Sequence, residues 1–218
     1  MKVYFVLSLL LISFLFSCAG KVNKNAEERS TMMATSNKSD KLLDTATFAA
    51  GCFWCVEAQF QQLEGVDTVI SGYTGGHIKK PTYKQVCTGN TGHAEAVNII
   101  YRPAIISYDE LVEAFFVAHD PTQLNRQGND VGTQYRSAIF YHNKDQKDKA
   151  QFYIKRLNEE KAYDKPIVTE VKPYGDFYIA EDYHQNYYNL NRQEGYCQFV
   201  IAPKLDKFQK VFKAKLKK

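Results

Sequence analysis

Apolar and polar positions divide the chain into three stretches. Residues 3–17 are an apolar run behind Lys2, the only charge among the first 17 residues. Residues 21–40 show no apolar period and are rich in Asn, Lys, Ser, Glu and Thr, the composition of a flexible tether. Periodicity begins after residue 41. Residues 45–50 predict a short buried strand, which Gly51 breaks, and Val56, Phe60 and Leu63 then recur at helical spacing up to Gly65. Strand patterns return at 68–73 and 94–101, and residues 83–87 also look strand-like. A helix is expected at 107–118, a strand at 137–141, a helix at 144–161 and a strand at 167–171. Residues 189–197, polar and glycine-containing, read as a loop. Leu205, Phe208, Val211, Phe212 and Leu216 mark a terminal helix. Strands alternating with helices predict an α+β two-layer sandwich, and no internal repeat is present.

Composition sharpens this picture in three places. The 218 residues suit one domain plus appendages, and 44% hydrophobic residues are ample for a core. Fifteen Tyr and fourteen Phe point to an aromatic-rich core or pocket. The net charge of +4, from 28 basic and 24 acidic residues, gives no reason to expect a nucleic-acid partner. The excess sits in the tail. Residues 204–218 hold seven Lys and one Asp, hence +6, which fits a docked helix with its lysines outward or contact with an acidic membrane surface.

The apolar run at 3–17 is too short to span a bilayer comfortably and has the form of a signal-peptide core. It ends in Leu15-Phe16-Ser17-Cys18, which is similar to a bacterial lipoprotein box. Cleavage before Cys18 and lipid on its sulfur are the expectation. The layout is then a lipoprotein signal peptide at 1–17, a tether at 18–40 and a folded domain at 41–218. An exported protein, lipid-anchored to a membrane of the bacterial cell envelope, follows.

Four further cysteines remain: Cys52, Cys55, Cys87 and Cys197. That is sparse for a structural disulfide framework in a well-cored domain, so redox chemistry has equal standing. Cys52 falls where a strand turns into a helix. Free backbone N–H groups and the positive dipole end favour a thiolate there, and Gly51 permits the turn. A small buried cysteine is the plainer alternative. Cys52-Phe53-Trp54-Cys55 is also a C-x-x-C at a helix start, while Cys87, in the strand-like run, reads as structural. His77, His119 and His142 lack metal-ligand spacing, and Gly72 to Gly76 follow no nucleotide-binding pattern, so neither a metal nor another cofactor is expected.

Gly51-Cys52-Phe53-Trp54 resembles the active-site signature of the A-type peptide methionine sulfoxide reductases. Ser71-Gly72-Tyr73-Thr74-Gly75-Gly76, Pro81-Thr82-Tyr83 and Thr91-Gly92-His93-Ala94-Glu95-Ala96-Val97 continue the resemblance in order. So do Asn129-Asp130-Val131-Gly132-Thr133-Gln134-Tyr135-Arg136-Ser137, Glu181-Asp182-Tyr183-His184-Gln185 and Gly195-Tyr196-Cys197. It covers roughly residues 45–205. It implies a ferredoxin-like fold with an extended C-terminal coil, and reduction of methionine-S-sulfoxide in proteins, with free methionine sulfoxide as a second candidate substrate.

The resemblance assigns Cys52 as the nucleophile and Glu95 as the acid that protonates the sulfoxide oxygen, which requires a desolvated carboxyl. Alternation in residues 93–97 puts Glu95 on one face with His93 and Val97. By pattern alone a single Glu in a strand belongs on a solvated face, and the motif reverses that. Tyr83, Asp130 and Tyr135 would hold the sulfoxide oxygen and a water, Phe53 and Trp54 would receive the methyl group, and His184 would support the pocket. Core packing is the alternative use of the tyrosines, Phe53 and Trp54. The resemblance makes Cys197 the expected resolving thiol for the Cys52 sulfenic acid, followed by exchange with thioredoxin or a thioredoxin-like reductant. Many members carry Gly where this chain has Cys55, so Cys55 is an alternative resolver, a relay or a bystander. A monomer is expected. Two other classes compete: a thioredoxin-like disulfide oxidoreductase, for which Glu95, the tyrosines and Cys197 have no role, and a non-catalytic binding lipoprotein.

Overall fold

The computed structural model describes residues 42–218. The expected signal peptide, the Cys18 lipidation site and the tether lie outside the described residues.

Strand β1 (Asp44–Ala50) is the centre of the sheet. Its small residues admit neighbours closely, and its pleat sends Ala46, Phe48 and Ala50 to one face and Thr47 and Ala49 to the other. At Gly51 the backbone has φ +90, and an added Cβ would stand 2.7 Å from Cβ of Gln127, so only glycine makes this turn. Helix α1 (Phe53–Phe60) follows at once, then β2 (Val66–Thr74).

Residues 83–87 correct the strand reading, because they form helix α2 (Tyr83–Cys87). Thr82 and Gln85 make a reciprocal capping box, and that local pairing outweighs the apparent strand pattern. Strand β3 (Ala94–Tyr101) and helix α3 (Tyr108–Ala118) fall where expected, α3 behind a second capping box from Ser107 and Glu110. A two-residue hairpin, β4 (Arg126–Gln127) with β5 (Asp130–Val131), was not foreshadowed. Strand β6 (Ser137–Tyr141) and helix α4 (Lys144–Glu159) match their patterns. Strand β7 (Glu170–Pro173) sits a few residues beyond its expected place, and β8 (Phe177–Ile179) closes the sheet.

The strand order is β7-β6-β1-β3-β2-β8, antiparallel throughout except for the parallel pair β6–β7. Helices α1 and α3 pack on the face that carries Phe48, Val97 and Ile99, adding Val56, Phe60, Leu111 and Phe115 to form the main core. A smaller cluster, Ala49, Ala94, Ala96, Ala138 and Phe140, covers the opposite face. The fold is therefore mixed α/β.

The expected C-terminal coil is the second correction. Between residue 186 and the terminal helix the chain forms a short helix α5 (Tyr187–Leu190) and a π-helical turn (Cys197–Ile201), and α6 (Ala202–Val211) is the terminal helix that the apolar stripe predicts. Leu205, Phe208 and Phe212 of the terminal stripe dock on the core, while Val211 stays exposed. A coil would have left these apolar groups and the backbone amides without partners.

Candidate active site

Cys52 is the N-cap residue of α1, and its carbonyl accepts the N–H groups of Cys55 (3.1 Å) and Val56 (3.4 Å). One helical turn later Cys55 points into the same interior. Cys52, Cys55, Ala58, Cys197 and Ile201 form one buried cluster, rimmed by Trp54, Tyr135, Tyr187 and Tyr196. All three cysteines there are free thiols. Cys197 is fully buried within the π-helical turn, which replaces the expected loop at that residue. Cys87 stands apart and exposed, beside the Tyr83 hydroxyl, so the structure does not use it as a core residue.

The expected low pKa of the Cys52 thiol is also corrected. Burial pushes it well up, and hydrogen bonding to Cys55 adds to this. Cys55 moves the other way: the Cys52 thiol bonds to its sulfur, and the Lys204 ammonium, 3.8 Å from Sγ, further favours the thiolate. Desolvation outweighs the helix end at Cys52 because almost no solvent reaches that sulfur.

Glu95 lies on the helix-facing side of β3, 1% exposed. Its Oε2 accepts the Phe53 N–H at 3.0 Å, which ties the carboxyl to the residue next to Cys52. Burial raises its pKa well above the usual carboxylate value, and negative charge on Cys52 or Asp130 would push the same way, so the site favours the protonated acid. The phenols of Tyr83 and Tyr135 are held protonated, chiefly by burial and then by Glu95. Asp130 does not aim a free carboxylate into the site, because its Oδ2 accepts the Tyr196 hydroxyl at 2.7 Å.

Phe53 and Trp54 open the aromatic wall. The indole N–H of Trp54 donates to Nδ1 of His184 at 3.1 Å, so His184 sets the tilt of the ring. The Phe53 and Tyr83 rings flank the imidazole, with centroids at 5.0 and 4.4 Å. Burial lowers the His184 pKa and keeps Nδ1 an acceptor. Every site residue expected within 42–218 thus lies in one connected set of contacts around Cys52, Phe53 and Trp54.

Sequence reasoning missed four participants. Tyr187 stacks on Trp54 with centroids 3.6 Å apart and planes within 7°. Tyr196 touches Cys52, and its place beside Cys197 was the one available signal. Glu181 accepts the Tyr73 hydroxyl (2.7 Å) and the Tyr83 N–H (2.8 Å). Glu57, buried in α1, accepts the Asn186 N–H at 2.8 Å and also bonds the Tyr187 N–H, which caps α5 from another element. His119 is a satisfied core histidine, bonded to Phe115 O and Ser137 Oγ. Among the described residues no cluster of three or more His, Cys, Asp or Glu suits a metal ion.

Residues 44–216 match the family described as peptide methionine sulfoxide reductase. The chain is 51% identical over 172 residues to peptide methionine sulfoxide reductase MsrA of Natronomonas pharaonis, covering 79% of this chain and 97% of the relative. It is 54% identical over 170 residues to the MsrA of Chromobacterium violaceum, covering 78% and 97%. Among solved structures it resembles Mxr1 of Saccharomyces cerevisiae in reduced form, with TM-score 0.67 and 34% identity, over 72% of this chain and 91% of that one. Methionine sulfoxide reductase A of Corynebacterium diphtheriae gives TM-score 0.64 and 37% identity over 72% and 79%.

Proposed function

The chain belongs to the peptide methionine sulfoxide reductase family and carries out thiol-dependent reduction of methionine sulfoxide; from that premise we propose which of its own residues perform each step. The observation that carries the assignment is the contact between the Glu95 carboxyl and the Phe53 N–H. It fixes a buried acid beside a buried thiol on two rigid elements.

The methyl sulfoxide enters against Phe53 and Trp54, with Tyr83 and Tyr135 donating to its oxygen. Glu95 gives its proton to that oxygen, which makes the sulfur electrophilic, and Cys52 attacks. The S–O bond passes to Cys52, leaving the thioether and a Cys52 sulfenic acid. A second thiol then displaces water to form a disulfide. Cys55 is in place to do so first, being hydrogen-bonded to Cys52. Cys197, in the same buried cluster, takes the disulfide over when the π-helical turn opens, and presents it to a thioredoxin-like reductant.

The finer fold reading rests on the order β6-β1-β3-β2, the all-antiparallel arrangement of a ferredoxin-like split βαβ core, with α1 and α3 as its crossovers. The enzyme acts as a monomer, exported and held to the envelope by lipid on Cys18. An acyl mass on the N-terminal cysteine of protein from native cells tests the anchor, and an unmodified mass removes it.

Separated epimers of a methionyl sulfoxide peptide and of free methionine sulfoxide, each with dithiothreitol, test the activity. Reduction of the S epimer alone, lost in Cys52→Ser, is expected. Turnover of the R epimer, or substantial activity in Cys52→Ser, overturns the assignment.

A further inference from the structure

Beyond the nucleophile and the acid, the site contains a cationic side chain that the mechanism above leaves idle. Lys204 stands in the first turn of α6 and reaches across to α1, where its Nζ lies 3.8 Å from Sγ of Cys55. Among the described residues no carboxylate lies within ion-pair distance of this ammonium. On its other side Lys204 lines a cavity of about 370 Å³ with Gln59, His119, Asp120, Gln127 and Lys207. Asp120 in that cavity is committed to Thr122 and Gln123. Burial drops the pKa of His119 to about 4, so it is neutral. The polar atom that Lys204 meets inside the site is thus the Cys55 sulfur, 3.8 Å from its Nζ.

The other groups facing Cys55 are Cys52 from the same helix, Tyr196 and Cys197 from the C-terminal segment, and Asp130 from β5. Tyr196 gives its hydrogen to Asp130. Cys52 is buried among aromatic rings and holds its proton. A nucleophile in that state needs a base, and the atom hydrogen-bonded to it is the Cys55 sulfur.

We propose that Lys204 and Cys55 form an activating pair, in which the ammonium holds negative charge on the Cys55 sulfur and that sulfur takes the proton of Cys52 as Cys52 attacks the sulfoxide. The balance closes within the site. The Cys52 S–H bond breaks, its proton passes to Cys55, and the Cys52 electron pair attacks the substrate sulfur as Glu95 protonates the oxygen. The products are thioether, Cys52 sulfenic acid, Cys55 thiol and the Glu95 carboxylate, which regains its proton from solvent before the next cycle. Cys55 then attacks the sulfenic sulfur and releases water, giving the Cys52–Cys55 disulfide. Lys204 is a positioning residue here, acting through Cys55. The inference rests on Cys52 being the nucleophile, and adds the source of its activation.

Single-turnover reduction of a methionyl sulfoxide peptide, followed from pH 5.5 to 9.5, tests it in Lys204→Met, Lys204→Arg and the double variant Lys204→Met with Cys55→Ala. Lys204→Met is expected to slow the step about tenfold at pH 7, with the rate rising toward wild type at high pH and KM unchanged, the effect of about one unit of thiol pKa. Lys204→Arg restores most of the rate. In the Cys55→Ala background the lysine substitution adds nothing. A wild-type pH profile in Lys204→Met, or a deficit that persists undiminished without Cys55, overturns the pairing. Either result leaves the Cys52 assignment standing, because that falls only if Cys52→Ser remains active.

Discussion

The half of the site that carries the chemistry and the half that covers it are built on opposite plans. Cys52, Phe53 and Glu95 stand on the junction of β1 with α1 and on β3, all inside the main sheet and its first helix. Their positions follow from ladder hydrogen bonds and from core residues such as Phe48 and Val97. The covering half, residues 181–201, holds three short helical pieces and a left-handed Asn186 at φ 54. Besides the buried Cys197 and Ile201 and the Tyr187–Trp54 stack, it is held down by single polar side chains. Glu181 ties it to Tyr73 and Tyr83, Gln185 pairs with both backbone groups of Ser71, and Glu57 caps α5. Reacting atoms are placed by rigid elements, while the cover is attached by a few bonds that can open separately.

The sharpest way to break this contrast is to remove the acid from the rigid half. Glu95→Gln keeps the shape and loses the proton, so reduction at neutral pH is expected to fall about 10²–10⁴-fold, the span of general acid catalysis. Stopped-flow rates from pH 5 to 9 check it. An unchanged profile takes Glu95 out of the reaction and dissolves the distinction between the halves.

The covering half is expected to respond through binding. Tyr187→Ala deletes the ring stacked on Trp54 and should raise KM about three- to tenfold, the worth of one aromatic pair, with kcat nearly constant. Steady-state kinetics separate the two constants, and a fall in kcat alone would place Tyr187 in the chemical step.

The smallest effect on turnover is expected at Glu57, where the readout is stability against pH. Burial raises its pKa from 4.5 to about 7, against the two amides it accepts. Between those values the unfolded chain loses this proton and the folded one keeps it, so the contribution of Glu57 falls as pH rises. Glu57→Gln removes that slope. Urea unfolding should show the variant gaining about 2–3 kcal/mol on wild type between pH 5 and pH 8. A difference constant with pH would mean that Glu57 does not titrate in this window.

The two halves also differed in how far the sequence revealed them. Gly51 to Trp54 and the alternation around Glu95 were readable because a strand, a glycine and a helix start are local events. The capping box at Ser107 and Glu110 agrees with the apolar period of α3, and that helix was located. At Thr82 and Gln85 the same device sits within a strand-like pattern that hides it in the sequence, although it prevails in the fold. In the sequence Cys197 reads as a loop residue, because Gly195 and its polar neighbours hide a buried turn. Glu57, Tyr187 and Lys204 left no trace. Glu57 meets Asn186 across 129 residues, and Lys204 meets Cys55 across 149. Such pairs exist only after the helices dock.

The antiparallel register of β2 with β3 pairs Tyr73 with Glu95. Side chains alternate along β3, so deleting or inserting one residue inside the strand would turn Glu95 from the helix face to the side occupied by Ala94 and Ala96. Residues 75–93, which join the two strands, contain α2 and several glycines and carry no comparable parity constraint. A one-codon change within β3 would therefore delete the proton donor from the site while leaving its codon intact.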